Sequence, residues 1–283
     1  MNRIKIAVIA AMGMTSLAIS SYAQTVTAAD GDLIMGFRTT GAPGNTQDLE
    51  VDLGSYTNFD DLVGGTTFSL TQLSPLDLNT YGAAGAWASR SDLFWSVSGS
   101  SYNVGGSIGL PNNTIFETSV DASLSNSGSG STVFKRQTSN SQLLVSQTLD
   151  TFVGGLNGSS QTANSSSASL VSDSANSYNT NISNGGSNTR PWGATSASLM
   201  TFTNVENNTN IPVGSFVQSD LYEMLPTASG TANALELGYF RLYNDGTLTF
   251  TEVPEPSTYA IGVLAALFVL VTAIHSRKAA KSA

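Results

Sequence analysis

The sequence predicts a mainly β fold, an antiparallel sandwich-like domain with one or two helices in an insertion, followed by a C-terminal transmembrane helix. Three observations support this class. Short runs of alternating apolar and polar residues end at Gly, Asn or Pro. One segment alone has helical periodicity. Residues 259–274 form an uncharged apolar run, and residues 24–252 have the length of one ordinary domain.

The amino-terminal segment has the layout of a secretory signal. Two basic residues precede an apolar run over residues 6–19, and small side chains stand at Ser21 and Ala23, just before Gln24. A cationic start, an apolar centre and a small-x-small exit are the features that signal peptidase recognises. We therefore expect cleavage between Ala23 and Gln24 and exclude residues 1–23 from the fold.

The first clear strand pattern lies at residues 48–53. Asp48, Glu50 and Asp52 alternate there with three aliphatic residues, which is the period-2 signature of a half-buried strand. Two interpretations of the acidic face are open. The carboxylates could supply oxygen ligands to calcium, or they could form the solvated face of a charged edge strand, which is the interpretation we favour.

Three further strand patterns follow. Residues 93–97 and 114–120 are β-rich runs bounded by turn residues. The clearest unit joins residues 238–243 to residues 247–251 through Asn-Asp-Gly at 244–246. Because Asp-Gly tolerates the positive φ angles of a tight turn, these residues predict a hairpin.

One segment departs from the strand pattern. Between Thr138 and Leu156 the apolar residues recur at spacings near 3.6, which predicts an amphipathic helix. The following stretch, about residues 158–189, is rich in Ser, Asn and Gly and holds few large apolar side chains. Because it can bury little surface, we expect a loop, with a second, weak helix around residues 168–177.

The carboxyl-terminal segment, residues 253–283, combines three features in order. A Pro-Glu-Pro motif precedes the apolar run 259–274, and a basic cluster follows it. The run spans about 24 Å as a helix, somewhat less than the roughly 30 Å of a bilayer core. Basic residues favour the cytoplasmic side, so the C-terminus is predicted inside and the body outside. The residues concerned are Pro254, Glu255 and Pro256 in the motif, and Arg277, Lys278 and Lys281 in the cluster.

This arrangement resembles the PEP-CTERM sorting tail of bacterial exosortase substrates. The resemblance covers about residues 253–281, and the signal at the other end agrees with it. It implies that an exosortase reads the Pro-Glu-Pro motif and cleaves nearby, so that the protein is first anchored in the inner membrane and then reaches the cell surface or the medium. The alternative is a permanent single-pass anchor with a Pro-rich stalk.

The composition of residues 24–252 excludes several chemistries. The lone histidine is His275, in the tail, and the chain has no cysteine. The body therefore lacks the imidazole and thiol that Ser-His-Asp, Cys-His and zinc sites require. Only six of the 11 lysines and arginines lie in the body, together with nearly all 20 acids. This acidic balance argues against nucleic acid as a partner.

A weaker resemblance concerns the body. Residues 31–38 (GDLIMGFR), 49–55 (LEVDLGS) and 221–226 (LYEMLP) are similar to segments of uncharacterised exported proteins that share the sorting tail. This resemblance implies one domain and brings no activity, catalytic residue, cofactor or metal with it. Signal peptidase and exosortase are the expected processing partners.

Two other functions remain open for the body. Trp87, Trp95 and Trp192 could form sugar-stacking platforms in a glycan-binding module associated with exopolysaccharide, although tryptophans in a β domain more often belong to the core. Paired carboxylates could serve a glycan hydrolase. Neither of these two functions is our leading hypothesis. The leading hypothesis is that the chain is an exported, non-enzymatic cell-surface or extracellular-matrix protein.

Overall fold

The structure, a computed structural model, describes residues 26–60, 64–102, 105–124, 134–159, 163–183, 205–228 and 232–253. These residues form a mainly β domain built on one antiparallel, curled sheet that resembles half of a barrel. The strands are β1 Asp32–Thr39, β2 Gln47–Ser55, β3 Thr67–Leu70, β4 Leu93–Ser100, β5 Ile115–Val120, β6 Ala168–Ser172, β7 Asn207–Asn208, β8 Phe216–Met224, β9 Leu235–Tyr243 and β10 Leu248–Glu252. The helices are α1 Thr57–Asp60 and α2 Ser139–Gly158, with 3₁₀ turns at Asp77–Tyr81, Ala83–Ser89 and Gly105–Ser107 and a π-type turn at Asn179–Ser183.

The strand order is β3-β10-β9-β8-β5-β4-β1-β2-β6, with β7 paired to β4. The mainly β, antiparallel class is thus confirmed. The sandwich-like arrangement is not confirmed, because the strands of the described residues belong to one hydrogen-bonded sheet. The reason is that β1, β4, β5 and β8 each pair on both sides, so the ladder continues where a sandwich would break into two sheets.

The two faces of the sheet carry different cores. One face, which we call the apolar face, is covered by aliphatic and aromatic side chains from nearly every strand, including Phe37, Trp95 and Phe250. On the other face, which we call the α2 face, Leu149 and Phe152 of α2 pack with a smaller apolar cluster. Burial of the apolar side chains on both faces stabilises the fold by about 25 cal/mol for each Å² of apolar surface removed from water.

The predicted helix is confirmed as α2. The hydroxyl oxygen of Thr138 accepts a hydrogen bond from the backbone N–H of Ser141 and so caps the helix start. In the first turn Gln142 is fully buried, and its Nε2 donates to the backbone oxygens of Asn113 and Met224 at 2.8 and 2.7 Å. These bonds fix the beginning of α2 against the ends of β5 and β8.

For the Ser/Asn-rich segment the sequence predicts a loop with a weak helix around residues 168–177. That helix is wrong: residues Ala168–Ser172 form β6, which pairs antiparallel with β2. Small polar residues have only weak intrinsic preferences for helix or strand. Pairing with the edge of β2 therefore decides that this segment forms a strand. Turns follow β6 up to the π-type turn at Asn179–Ser183.

Among the helices of the described residues, none is long and apolar enough to cross a membrane. The predicted transmembrane helix over residues 259–274 and the signal over residues 1–23 lie outside the described residues.

The predicted hairpin is confirmed by β9 and β10, where Gly246 adopts φ 88°.

Candidate functional site

The predicted processing sites lie at the two ends of the chain. All of them are outside the described residues, which end at Val253. The backbone N–H of Val253 donates to the oxygen of Leu237 at 3.1 Å, immediately after β10. The residues concerned are Ala23 and Gln24 at the signal cleavage, Pro254, Glu255 and Pro256 in the sorting motif, and Arg277, Lys278 and Lys281 in the basic cluster.

The acidic residues of β2 lie in the interior of the domain. Asp48 is 3% exposed and Glu50 is 0% exposed, and only Asp52 is half-buried. The prediction of a solvated edge strand is therefore wrong. The physical reason is twofold: β2 lies between β1 and β6, and the segment 173–183 covers the acidic face.

Both buried carboxyls bind the backbone of that covering segment. Asp48 Oδ2 accepts from the N–H of Asn179 at 2.7 Å, and Glu50 Oε1 accepts from the N–H of Tyr178 at 2.8 Å. Burial raises the pKa of Asp48 to about 7 and raises the pKa of Glu50 well above its ordinary value, against the opposing effect of these hydrogen bonds. Burial therefore favours the neutral form of Glu50 over the ionised form.

A third acid on the covering segment completes the cluster. Asp173 accepts hydrogen bonds from Ser177 Oγ at 3.1 Å and from Asn179 Nδ2 at 3.0 Å, and its charge adds to the raised pKa of Asp48. The calcium interpretation required several carboxylates around one ion. In the described part of the chain, no group of three or more His, Cys, Asp or Glu is arranged to hold a metal ion.

An ion pair lies next to these acids on the α2 face. Arg38 binds Glu206 through two hydrogen bonds, from Nε at 2.8 Å and from Nη2 at 2.6 Å. The Arg38 guanidinium also lies 4.9 Å from the centre of the Phe94 ring. Tyr178 Oη is within 2.8 Å of Ser96 Oγ, so the tyrosine is bound at both its backbone and its hydroxyl.

A second carboxylate cluster occupies the neighbouring strands β5, β8 and β9. Gln218 Nε2 donates to Asp121 Oδ2 at 3.0 Å and to Asp220 Oδ1 at 3.2 Å, and Gln218 Oε1 accepts from Arg241 Nε at 2.9 Å. Glu236 lies close by, and its pKa is raised to about 7 by burial and by the charges of the two aspartates.

This second cluster is relevant to the hydrolase alternative. Asp121 and Asp220 are 1% and 0% exposed. They share one amide group on a sheet face, whereas a glycosidase needs two carboxyls that flank a bound sugar. In this structure the two aspartates accept hydrogen bonds from Gln218 inside the domain, and neither carboxyl is exposed where a substrate could contact it.

The aromatic residues near Arg241 form a compact group. Its guanidinium lies 4.4 Å from the ring centre of Phe216 and 4.7 Å from that of Tyr239, and Phe216 packs on Tyr243 with centres 5.3 Å apart. Three of these side chains are half-buried and one, Tyr239, is buried. We call these four residues the Arg241 aromatic group.

The tryptophans take other places. Trp87 and Trp95 are 1% and 0% exposed and belong to the apolar core. The expectation that tryptophans in a β domain pack in the core is confirmed for these two, and they cannot serve as stacking platforms on the surface. Trp192 lies outside the described residues.

Sequence reasoning missed most of this arrangement. The partners Arg38, Glu206 and Tyr178 lie far apart in the chain, and no local pattern links them. One signal was available: in a body with few basic residues, each arginine is a strong candidate for pairing with a carboxylate. No family model, curated protein or solved structure matched the chain.

Proposed function

We propose that this chain is an exported bacterial cell-surface or extracellular-matrix protein without enzymatic activity, sorted and processed through its C-terminal tail. The observation that carries the proposal is the order of features in residues 253–283: Pro-Glu-Pro, an apolar run and a basic cluster. The secretory layout of residues 1–23 agrees with the same topology.

The position of the last strand supports the processing step. β10 is hydrogen-bonded between β3 and β9 and ends at Glu252, two residues before Pro254. Cleavage near the motif would remove no strand of the described sheet, so the body would keep its fold after release. A tail that began inside a central strand could not be removed in this way.

The placement of the acids supports a scaffold without catalysis. Asp48 and Glu50 bind the backbone of the segment 173–183, and Gln218 binds Asp121 and Asp220 inside the domain. With neither histidine nor cysteine in residues 24–252, carboxylates are the main candidates for acid-base chemistry. These four are engaged in holding the structure together.

The test is the intact mass and the cell fraction of the protein in its host. The wild type is compared with the variant Pro254→Ala, Glu255→Ala, Pro256→Ala. We expect a wild-type mass that ends near the motif and protein at the surface or in the medium, and a variant that keeps residues 259–283 and stays in the membrane. Retention of the tail in both proteins would overturn the sorting proposal and leave a single-pass anchor.

A second candidate is a glycan-binding module, which the Arg241 aromatic group favours. Half-buried Phe216 and Tyr243 lie side by side on neighbouring strands, and aromatic faces are common sugar platforms. The check is retardation in gels that contain exopolysaccharide from the host. Phe216→Ala together with Tyr243→Ala should abolish retardation, and the distant variant Leu144→Ala on α2 should not. Equal migration of wild type and double variant would exclude this site.

A further inference from the structure

The sheet ends in two edge strands, β6 and β3, whose outer backbone groups are treated differently. On β6 the residues just before the strand cover the edge. The backbone oxygen of Ala168 accepts from the N–H of Ala163 at 3.4 Å. The backbone oxygen of Leu170 accepts from Ser159 Oγ at 3.0 Å. Such a cover hinders the edge from pairing with another chain.

The outer side of β3 is defined by its pairing with β10. The N–H of Glu252 donates to the oxygen of Thr66, so from Thr66 onward every second residue turns its backbone groups toward β10. The N–H and C=O groups of the residues between them, Thr67, Ser69 and Thr71, therefore point away from the sheet. All three residues are exposed, and none of the described residues forms a hydrogen bond with their backbone groups. The β3 edge is thus open where the β6 edge is covered.

The space beside this edge is also empty. A cavity of about 420 Å³ extends along β3 and is lined by Ser69 and Thr71 and by Thr57 of α1, all of which are exposed. A strand can therefore approach β3 from this side. At the end of the cavity Gln72 Nε2 donates to the backbone oxygen of Leu53 at 3.4 Å. This contact closes the edge after Thr71 and limits pairing to residues 67–71.

Residues 67–71, Thr-Phe-Ser-Leu-Thr, are complementary to a second copy of themselves. When two copies run antiparallel about a two-fold axis at Ser69, Ser69 of each copy faces Ser69 of the other. In the same register Thr67 faces Thr71, and these outward pairs exchange backbone hydrogen bonds and bring hydroxyl side chains together. Between them Phe68 faces Leu70, so an apolar pair covers the half-buried phenylalanine.

The charge distribution also favours a second copy at this edge. The chain has a formal net charge of −9, so two copies repel each other over most of their surfaces. A charged side chain close to a two-fold axis would lie against the same charge on the other copy. Residues 64–72 contain no charged residue and no proline, which are the usual devices that keep an edge strand from pairing. The edge is therefore neutral where self-association requires it.

We propose that β3 is a docking edge for a second copy of this chain, and that two copies pair antiparallel through residues 67–71 so that their sheets become continuous. The two-fold arrangement occupies the β3 edge of both copies, so it closes at a dimer. Because two short strands bury less than about 1,200 Å², we expect a Kd on the order of 100 µM. This interface involves neither the sorting tail nor the Arg241 aromatic group, so it goes beyond the functions proposed above.

Cysteine cross-linking tests the register, because the chain has no cysteine of its own. Hydrogen-bonded pairs of antiparallel strands have Cα atoms about 5.5 Å apart, which a disulfide can bridge. In the intact protein purified from its host, mild oxidation should link Ser69→Cys into a homodimer. Thr67→Cys and Thr71→Cys should each stay monomeric alone and form the mixed dimer when combined. A yield for Ser69→Cys no higher than that for the exposed Thr151→Cys on α2, or its linkage to a different protein, would overturn the proposal.

Sedimentation equilibrium tests the affinity without a covalent link. Ser69→Lys places two like charges at the axis and should raise the Kd at least about tenfold. Its free energy of unfolding should stay close to that of the wild type, because Ser69 is exposed and its backbone groups point out of the sheet. Thr151→Lys on α2 adds the same charge and should leave the Kd unchanged. A wild type that is monomeric at about 1 mM, or a Ser69→Lys variant that associates like the wild type, would contradict the proposed dimer.

Discussion

Glu50 Oε1 accepts a hydrogen bond from the backbone N–H of Tyr178 at 2.8 Å, and this bond attaches the turn after β6 to the middle of β2. The same tyrosine ring lies so close to β1 that a Cβ atom added at Gly36 would be 2.1 Å from it. A glycine, a buried carboxyl and a buried tyrosine thus hold the covering segment on the α2 face. Burial raises the pKa of several acids in this domain, including Asp48 and Glu50.

The first prediction concerns the pH dependence of stability. Burial raises the pKa of Asp48, Glu223 and Glu236 to about 7 and that of Asp52 to about 6. Their unfolded values are near 4, so the stability they contribute is complete below pH 4 and is lost as the pH rises to about 7. We expect the free energy of unfolding to fall by roughly 3 kcal/mol or more from pH 4.5 to 7.5, since the shift of Asp48 alone corresponds to about that amount.

The measurement is urea unfolding across this pH range, followed by the fluorescence of the buried Trp87 and Trp95. Below pH 4, acids whose pKa is lowered in the folded protein change the free energy of unfolding in the opposite direction: it falls as the pH falls. Asp92, whose pKa is lowered to about 2 by hydrogen bonding to Arg90, loses its contribution as the pH falls through that value. A stability that stays constant or rises between pH 4.5 and 7.5 would contradict the prediction.

The second prediction isolates Glu50. Its folded pKa lies well above 4.5, so above pH 4.5 the unfolded chain releases a proton that the folded chain retains. One such group lowers stability by about 1.4 kcal/mol per pH unit. Glu50→Gln keeps an oxygen acceptor for the N–H of Tyr178 and removes the proton. We expect the slope of stability against pH, measured by urea unfolding between pH 5 and 7, to decrease by about that amount.

The matched control is Asp245→Asn in the β9–β10 turn. Hydrogen bonds from Thr247 lower the pKa of Asp245, so its protonation affects stability only below about pH 4. The slope between pH 5 and 7 should be that of the wild type. If Glu50→Gln also leaves the slope unchanged, Glu50 is ionised in the folded protein and the assignment of a neutral carboxyl is wrong.

Part of this architecture could be predicted from the sequence. The alternation at residues 48–53, the Asp-Gly turn before β10 and the 3.6-residue spacing of α2 are local signals, and each element formed where its signal lies. Such signals act through the chain geometry of a strand, a turn or a helix, so no distant partner is needed to read them.

The remainder depends on distant contacts. Alternating acids normally indicate a solvated face, and only the segment 173–183, more than 120 residues further along the chain, buries Asp48 and Glu50. In the same way β6 is strand because β2 offers it a free edge. The hydrogen bond from Gln72 Nε2 to the backbone oxygen of Leu53 in β2 likewise has no local sequence signal.

The third prediction concerns the ion pair between Arg38 and Glu206, whose side chains are 11% and 15% exposed. Removing one partner leaves a charge buried without compensation, which costs about 3 kcal/mol. We expect Arg38→Met and Glu206→Met each to lose about that amount. The double variant should lose clearly less than the sum, with a coupling of about 2 kcal/mol in urea unfolding at pH 6.

A comparison pair tests whether burial is the cause. In the ion pair Arg90–Asp92 the side chain of Asp92 is 36% exposed, so solvent screens it more. The cycle of Arg90→Met and Asp92→Asn should give a coupling below about 1 kcal/mol. Equal couplings in the two cycles, or additive losses at Arg38 and Glu206, would show that burial does not strengthen the first pair.

The last prediction uses two neighbouring glycines of α2. A Cβ atom at Gly154 would meet nothing within 4 Å, whereas one at Gly155 would lie 2.1 Å from the backbone oxygen of Asn176. Alanine is favoured over glycine in a helix by about 1 kcal/mol, so Gly154→Ala should raise the free energy of unfolding by up to that amount. Gly155→Ala gains the same helix preference but must push the covering segment away from α2, and we expect a net loss of roughly 1 to 3 kcal/mol. Thermal unfolding of the two variants side by side measures the difference, and a Gly155→Ala variant as stable as Gly154→Ala would mean that Asn176 does not pack against the helix.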